Sequence, residues 1–489
     1  MNTTHKYLLT AILLLLTAGA YAQTLSLDSC RVMALAGNKE LKMAGEKLIA
    51  ARYRHKAAFT NFLPKIKARG AWMHTHDEMS LLSDDQKQSI LTMGDAAEKK
   101  LNQSFDMVSQ GNSMMQQILA PLRPMIPHIG KALNQTGHEI MDAFRTDTRE
   151  MWGAAVTLTQ PIFMGGKIAA YNRLTKYAER LAASQQASGM EDIILSTDQA
   201  YWQVVSLSAK KRLAEKYVEL LTKLDDDIQK MIAQGVATKS DGLSVGVKLN
   251  EAEMTLTKVE DGLSLSRMVL CQICGLPLDS KIKLEDENLD RLPEIYRSTQ
   301  ADVSTAMEMR PELTSLALAQ KIYEQKVSIT RSEYLPTIAL TGNYLITNPS
   351  MFNGFEKKFR DTWSVGLIVQ IPVWSWFEGI YKVKAARAEA RIAEYRLGDI
   401  REKVELQVSQ ASFKLREAGK RMHMAERNLE KADENMRTAR LGFSEGVIST
   451  SDVLAAQTAW LSARSARIDA GIDIRLADSY LRKSMGILK

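Results

Sequence analysis

Trp152-Gly-Ala-Ala-Val-Thr-Leu-Thr-Gln-Pro161-Ile-Phe163 reads against Trp363-Ser-Val-Gly-Leu-Ile-Val-Gln-Ile-Pro372-Val-Trp374, and the interval, 363 minus 152, is 211 residues. Gly235-Val-Ala-Thr-Lys-Ser-Asp241 matches Gly446-Val-Ile-Ser-Thr-Ser-Asp452 at the same interval. Upstream, Phe62-Leu-Pro64-Lys-Ile66 matches Tyr334-Leu-Pro336-Thr-Ile338, and Glu40-Leu41 matches Glu312-Leu313, but at an interval of 272. One unit is therefore written twice, and its first copy holds 272 minus 211, or 61, extra residues between Pro64 and Trp152.

Around each Pro the residues alternate. Ile66, Ala68, Gly70 and Trp72 share one face and Lys65, Lys67 and Arg69 the other. Ile338, Leu340, Gly342 and Tyr344 repeat the apolar face, and Trp152, Ala154, Val156, Leu158 and Trp363, Val365, Leu367, Val369 return it. In all four segments the ring (Trp72, Trp152, Tyr344 or Trp363) stands at the end away from the Pro, so both hairpins are expected to place a ring at one height. An apolar face with an aromatic girdle predicts membrane β-strands, which need ~9 to 11 residues. Two hairpins on a soluble core are the alternative reading. Four strands cannot close a barrel, since single-chain barrels start at ~8, and an open edge in lipid leaves backbone groups unpaired. The barrel is then shared between chains, and three copies supply twelve strands.

The other half of each unit has a longer period. Val404, Val408, Ala411, Leu415, Ala418, Met422, Ala425, Leu429, Ala432, Met436, Ala439 and Phe443 alternate by four and three, the seam of a packed coiled-coil helix. Stepping back 211 residues meets a matching frame from Ile193 to Ile232. A helix from about Gly379 to Leu441 is expected to run on the order of 90 Å. It returns through Leu454, Leu461, Ile468 and Ile472 as an antiparallel hairpin. Gly446 suits the positive φ that ends the first helix, and Ser449, Thr450, Ser451 or Asp452 suits the cap of the next.

Residues 1–22 hold Lys6, an apolar run from Tyr7 to Ala18 and Ala20-Tyr21-Ala22, the layout of a cleavable secretory signal. Cys30 lies outside any lipid-attachment box, so an exported chain without a lipid anchor is expected. Sixty-four basic against 57 acidic residues are spread without a basic block, which argues against nucleic acid. No later apolar stretch approaches the ~18 residues of a membrane helix. Cys271 and Cys274 form C-x-x-C with no second ligand pair for zinc, and read as small apolar helix residues or as a disulfide across the turn. No P-loop, nucleophile triad or metal-binding helix is present, so no enzyme and no cofactor are expected.

These features together resemble the TolC-like outer-membrane channels of efflux pumps and type I secretion systems. The resemblance rests on the duplicated strand and helix hairpins, on Arg310-Pro311-Glu312-Leu313 opening the second copy, on the Pro-bounded strands and on Gly446 to Leu454. It covers the mature chain except the insertion. It implies an α+β membrane protein whose long antiparallel coiled-coil helices form a periplasmic α-barrel. Four membrane strands per chain then contribute to a trimeric twelve-stranded β-barrel in the outer membrane. It also implies that the turns, with Gly235, Val236, Gly446, Val447, Ser451 and Leu454, form the periplasmic tip that docks an adaptor. By the resemblance Asp452 and its counterpart Asp241 ring the entrance, where a three-fold set of carboxylates attracts cations. Ala455 and Ile448 stand where well-known members carry a second acidic and a basic residue. Neither a double ring nor a gate salt bridge is implied here, and Asp452 equally suits a helix start.

The expected organisation is a signal peptide at 1–22, a first repeat at 23–275, a linker at 276–300 and a second repeat at 301–489. The first repeat holds a strand hairpin at 62–163, an extracellular insertion at about 77–150 and a helical turn at 235–241. The second holds a strand hairpin at 335–373 and a helical turn at 442–452. The linker, running through Leu276-Pro277 and Leu292-Pro293 to Arg297, is implied by the resemblance to form a belt around the helices with the C-terminus. The insertion is Met-rich, with Met79, Met93, Met107, Met114, Met115, Met125 and Met141 flanking a Pro-rich stretch from Ala120 to Pro127. Helical packing explains such Met better than soft-metal binding, and a plug, a cap or a surface contact are its open roles. The expected function is a passive exit channel that exports drugs and toxic compounds with a periplasmic adaptor and an inner-membrane pump, its partners also including two further copies and outer-membrane lipid. The alternatives are a soluble periplasmic coiled-coil adaptor or structural protein, and, among channels, a heavy-metal efflux or type I protein secretion duct.

Overall fold

The computed structural model describes residues 24–78, 82–110, 113–144, 147–288, 301–350, 352 and 356–489. The signal segment 1–22, Met79 and linker residues 289–300, with Leu292, Pro293 and Arg297, lie outside the described residues. In chain order, β1 (Thr24–Leu25), α1 (Leu27–Gly37) and α2 (Lys39–Phe59) precede β2 (Lys65–His74). The helices α3 (Asp84–Leu91), α4 (Met93–Ser109), α5 (Ser113–Leu119) and α6 (Ile126–Phe144) separate β2 from β3 (Glu150–Met164). Next come α7 (Lys167–Ala233), α8 (Lys239–Cys274) and β4 (Lys283–Leu284). The second half comprises α9 (Val303–Met309), α10 (Pro311–Ser332), β5 (Thr337–Asn348), β6 (Arg360–Gln370), α11 (Glu378–Ser444) and α12 (Thr450–Ser484). The chain divides into two units, one of residues 1–58, 169–330 and 380–489, the other of residues 59–168 and 331–379.

In the helical unit, α7 and α11 each have 67 residues and begin 211 positions apart. At about 1.5 Å per residue each is roughly 100 Å long. The four-three seam is the buried stripe: Val404, Val408, Ala411, Leu415, Ala418, Ala432, Met436 and Ala439 are all buried. Near the turns, Tyr217, Leu221, Leu224, Ile228 and Val245 form one core with Val453 and Leu454, so both helix hairpins share it. A second core joins Ala306 and Leu313 to Val404, Val408, Leu481 and Met485. A third joins Leu25, Cys30, Tyr201, Trp202, Leu270, Cys271, Cys274 and Leu284.

The third core rests on contacts that local periodicity does not announce. The N-terminal β1 pairs in parallel with β4 of the linker. Arg31 donates to both carboxylate oxygens of Asp198 at 2.7 Å, and the Ser479 hydroxyl donates to the same carboxylate at 2.7 Å. Asp198 is fully buried, and this fork of charge-assisted bonds is what allows it to remain so. The three cysteines are buried free thiols, and Cys274 Sγ lies 3.7 Å from the Cys30 carbonyl oxygen.

The sheet unit is a four-stranded antiparallel sheet in the order β2-β3-β5-β6. Its register places Ile66, Ala68, Gly70 and Trp72 opposite Leu158, Val156, Ala154 and Trp152, all on one face. β5 and β6 extend that face with Leu340, Gly342 and Tyr344 opposite Leu367, Val365 and Trp363. A bulge between Pro161 and Phe163 interrupts the β3–β5 ladder, where Pro cannot donate. Both edge strands, β2 and β6, are solvent-exposed and carry an unpaired backbone edge within the described chain.

The excursion between β2 and β3 is itself folded. α4 and α6 cross at Gly94, where an added Cβ would come within 1.9 Å of the Gly130 carbonyl oxygen. Asn134 ties the crossing, accepting from the Gly94 amide at 2.7 Å and donating to Asp95 at 2.7 Å. The helix backbones approach closely here, and the expectation that the Met residues fill the helical contacts holds only in part: Met93 and Met141 are half-buried, but the other four described ones are not. Met107 and Met114 are 71% and 72% exposed, and Met115 and Met125 are also exposed.

Candidate functional site

The two helix turns share one pattern of backbone hydrogen bonds. Gly235 has φ 74° and Gly446 φ 72°, the left-handed conformation in which a Cβ is strained. The Val236 amide reaches back to the Met231 carbonyl and that of Val447 to Gly442, each at 2.8 Å. The Gly235 and Gly446 amides bond to Ile232 and Phe443 at 3.0 Å. This pair of bonds ends a helix while satisfying its last carbonyls. Side-chain volume is exchanged between the copies: Met231 and Ala237 in one correspond to Gly442 and Ile448 in the other. A Cβ on Gly442 would lie 2.5 Å from Ile448 Cδ1.

The next helices are capped by Thr238 and Ser449. Asp241 accepts from the Thr238 hydroxyl at 2.6 Å and the Thr238 amide at 3.0 Å, closing a capping box. These bonds to Thr238 hold the Asp241 carboxyl below its usual range. Asp452 accepts from the Ser449 hydroxyl at 2.7 Å, and its amide donates to Ser449 Oγ at 3.2 Å. Val236 and Val447 project as apolar tips, 70% and 80% exposed, and Ser451 is exposed beside them. Leu454 is instead buried in the shared core.

Arg310-Pro311-Glu312-Leu313 forms a clasp in the helical unit. Arg310 is buried, donating to Gln407 at 2.7 Å and to Glu312 at 3.4 Å. Pro311 opens α10, and its carbonyl accepts from Ser184 of α7 at 2.7 Å. Leu313 enters the core with Leu481 and Met485.

On the sheet, Trp72 and Trp152 are register partners with ring centroids 5.9 Å apart, and Tyr344 and Trp363 are register partners in the second hairpin. The expected single height is corrected by the junction register: Tyr344 lies opposite Val156, four residues from Trp152. That is about 13 Å along the strand, more than tilting across the ~5 Å strand spacing absorbs. The Tyr344 hydroxyl donates to Asp361 at 3.0 Å. The opposite end of β6 carries a ring cluster that the reading of the sequence missed. Trp374 stacks edge-on against Trp376 and Phe377 at 5.7 and 5.6 Å, all three exposed. Its signal was the Trp374-Ser-Trp376-Phe377 run just after Pro372.

Among the described residues no group of three or more His, Cys, Asp or Glu could hold a metal, and no helix is long and apolar enough to cross a membrane. Residues 303–487 match the family model of outer membrane efflux proteins. The alkaline protease secretion protein AprF of Pseudomonas aeruginosa is 22% identical over 377 residues, 74% of this chain and 77% of that protein. The outer membrane protein TolC of Vibrio cholerae is 21% identical over 349 residues, 69% of this chain and 77% of that protein. The fold is similar to the CmeC outer membrane channel of Campylobacter jejuni, with a TM-score of 0.73 at 14% identity, covering 94% of this chain and 86% of that one. Proteins of this kind are passive trimeric channels of the outer membrane with a periplasmic helical portion, not enzymes. With its twin hairpins, its four-stranded sheet and the domain match across its second half, the chain carries the outer membrane efflux protein domain at residues 303–487 and is similar over most of its length to the TolC-like outer-membrane channels.

Proposed function

We propose that three copies of this chain form a passive exit duct for drugs and other toxic small molecules, working with a periplasmic adaptor and an inner-membrane pump. The observation that carries the reading is the open sheet: four strands with one apolar face and two bare edges, β2 and β6. In lipid such edges must pair, and pairing β6 of one copy with β2 of the next closes twelve strands in three copies. The exposed Val236 and Val447, each held on a rigid turn, suit docking of an adaptor by apolar contact. Asp452 and Asp241 suit the entrance, and Trp72, Trp152, Tyr344 and Trp363 suit the lipid interface, joined at the inner end by Trp374, Trp376 and Phe377. A signal peptide at 1–22 and a belt formed by the linker complete the proposal.

The test is deletion in the native host with a panel of dyes and antibiotics. Intracellular accumulation should rise and be restored by the wild-type chain but not by one lacking the 442–452 turn. Unchanged accumulation overturns small-molecule export. A second reading, protein secretion, is favoured by the similarity to an alkaline protease secretion protein. It predicts instead that a specific protein disappears from the culture medium.

A further inference from the structure

The polar face of the sheet carries charge of one sign. Register places Lys65, Lys67 and Arg69 of β2 opposite Thr159, Thr157 and Ala155 of β3, all on the face away from Trp72 and Trp152. Beyond them this face continues with Thr341 and Asn343 of β5, then Gly366 and Ser364 of β6. None of its strand positions is Asp or Glu. The carboxylates on the strands, Glu150 and Asp361, fall on the apolar face, opposite His74 and Ile346. Lys65 donates to the Asn61 side-chain oxygen at 2.7 Å, a neutral partner. The remaining cation of the polar face, Arg360, is already paired with Glu356 at 3.0 Å.

Closure between copies does not neutralise the row. The strand that meets β2 across the interface is β6, whose polar-face positions are Arg360, Thr362, Ser364, Gly366, Ile368 and Gln370, without a carboxylate in any register. The apolar face must meet lipid, so this face lines the water-filled lumen.

We propose that Lys65, Lys67 and Arg69 form an anion-attracting collar inside the barrel, three cations per chain and nine per trimer, which favours cargo bearing carboxylate, sulfonate or phosphate groups. The inference rests on the reading of the chain as a trimeric duct. Rings of Lys and Arg select anions by raising their local concentration, and desolvation is minor because the site stays wet. The collar is opposite in sign to the Asp241 and Asp452 carboxylates of the turns, so removing it should unmask whatever cation preference those carboxylates confer.

Two measurements on the full-length trimer test this. In planar bilayers under a KCl gradient, K65Q/K67Q/R69Q should shift the reversal potential toward cation preference, with the chloride-to-potassium permeability ratio falling by at least about twofold at low salt, where screening is weak. In a chain carrying only Lys67→Cys, an anionic methanethiosulfonate should react faster than a cationic one, relative to a free thiol, by about threefold or more. That advantage should vanish when Lys65 and Arg69 are also changed to Gln. The native cysteines are buried and give little background. Conducting, labelled pores with no charge preference, or a reversal potential unmoved by the triple variant, overturn the collar alone. Absence of conductance together with no labelling of the introduced thiol overturns the duct and the collar with it.

Discussion

Asp241 and Asp452 hold the same post in the two turns but are bound differently. Asp241 closes a capping box with Thr238, whereas Asp452 accepts from the Ser449 hydroxyl. Asp452 therefore keeps more acceptor capacity for ions, and Asp452→Ala is expected to weaken the cation preference of conductance in bilayers, with Ser449 still starting α12. Unchanged selectivity leaves Asp452 as a helix-start residue. A different titration is built into α7. Glu191 is buried with one carboxylate oxygen lacking a hydrogen-bond partner. Burial, and then the nearby Glu312 carboxylate, raise its pKa to about 7, against the pull of Arg310 and Lys483. The folded state thus holds this proton more tightly than the unfolded chain, so the contribution is complete below about pH 4.5 and is lost as pH rises to about 7. The loss is on the order of 3 kcal/mol at most, from ~1.4 kcal/mol per pH unit. Glu191→Gln should flatten the melting temperature across this range, and a variant that keeps the wild-type slope would assign the dependence to another group. Sequence showed the Asp pair through its repeat, but Glu191 stood out by no local pattern, since its burial depends on α10 and α12.

The long elements were legible because their signal is long. Twelve seam positions at a four-three spacing specify a helix and its buried side, and those of α11 from Val404 to Ala418 are buried. The strands were legible through alternation, which fixes the face but not the stagger between hairpins. That stagger put the two ring pairs on separate levels. The excursion was least legible, because the close approach of its helices at Gly94 and Gly130 depends on which two segments meet and leaves no local pattern. Gly94→Ala should force α4 and α6 apart, since helix backbones in contact have no room for a methyl group. Trypsin should then cut the excursion readily while the heat-modifiable trimer persists on gels. Loss of the trimer would make the excursion part of the frame.

At the scale of the molecule, the N-terminal segment is held by the Arg31–Asp198–Ser479 cluster and by the β1–β4 pairing. Asp198→Ala leaves Arg31 without its buried counter-charge and is expected to cost about 3 to 5 kcal/mol. The check is a lowered unfolding midpoint in denaturant, and a change under about 1 kcal/mol would mean that solvent reaches Arg31 and the cluster is dispensable. Outer-membrane fractionation with cross-linking is expected to recover trimers, whereas a soluble monomer would contradict the assembly. The sequence by itself determined the duplication, the helix seams, the faces of the strands and the twin turns. Each depends on residues within a few positions of one another, repeated many times. Only the tertiary structure decided the stagger of the hairpins, the bare edges β2 and β6, the burial of Glu191 and Asp198, and the outward Met residues of the excursion. Those depend on which distant segments meet, and the free energy of a register or a buried ion pair belongs to both partners at once.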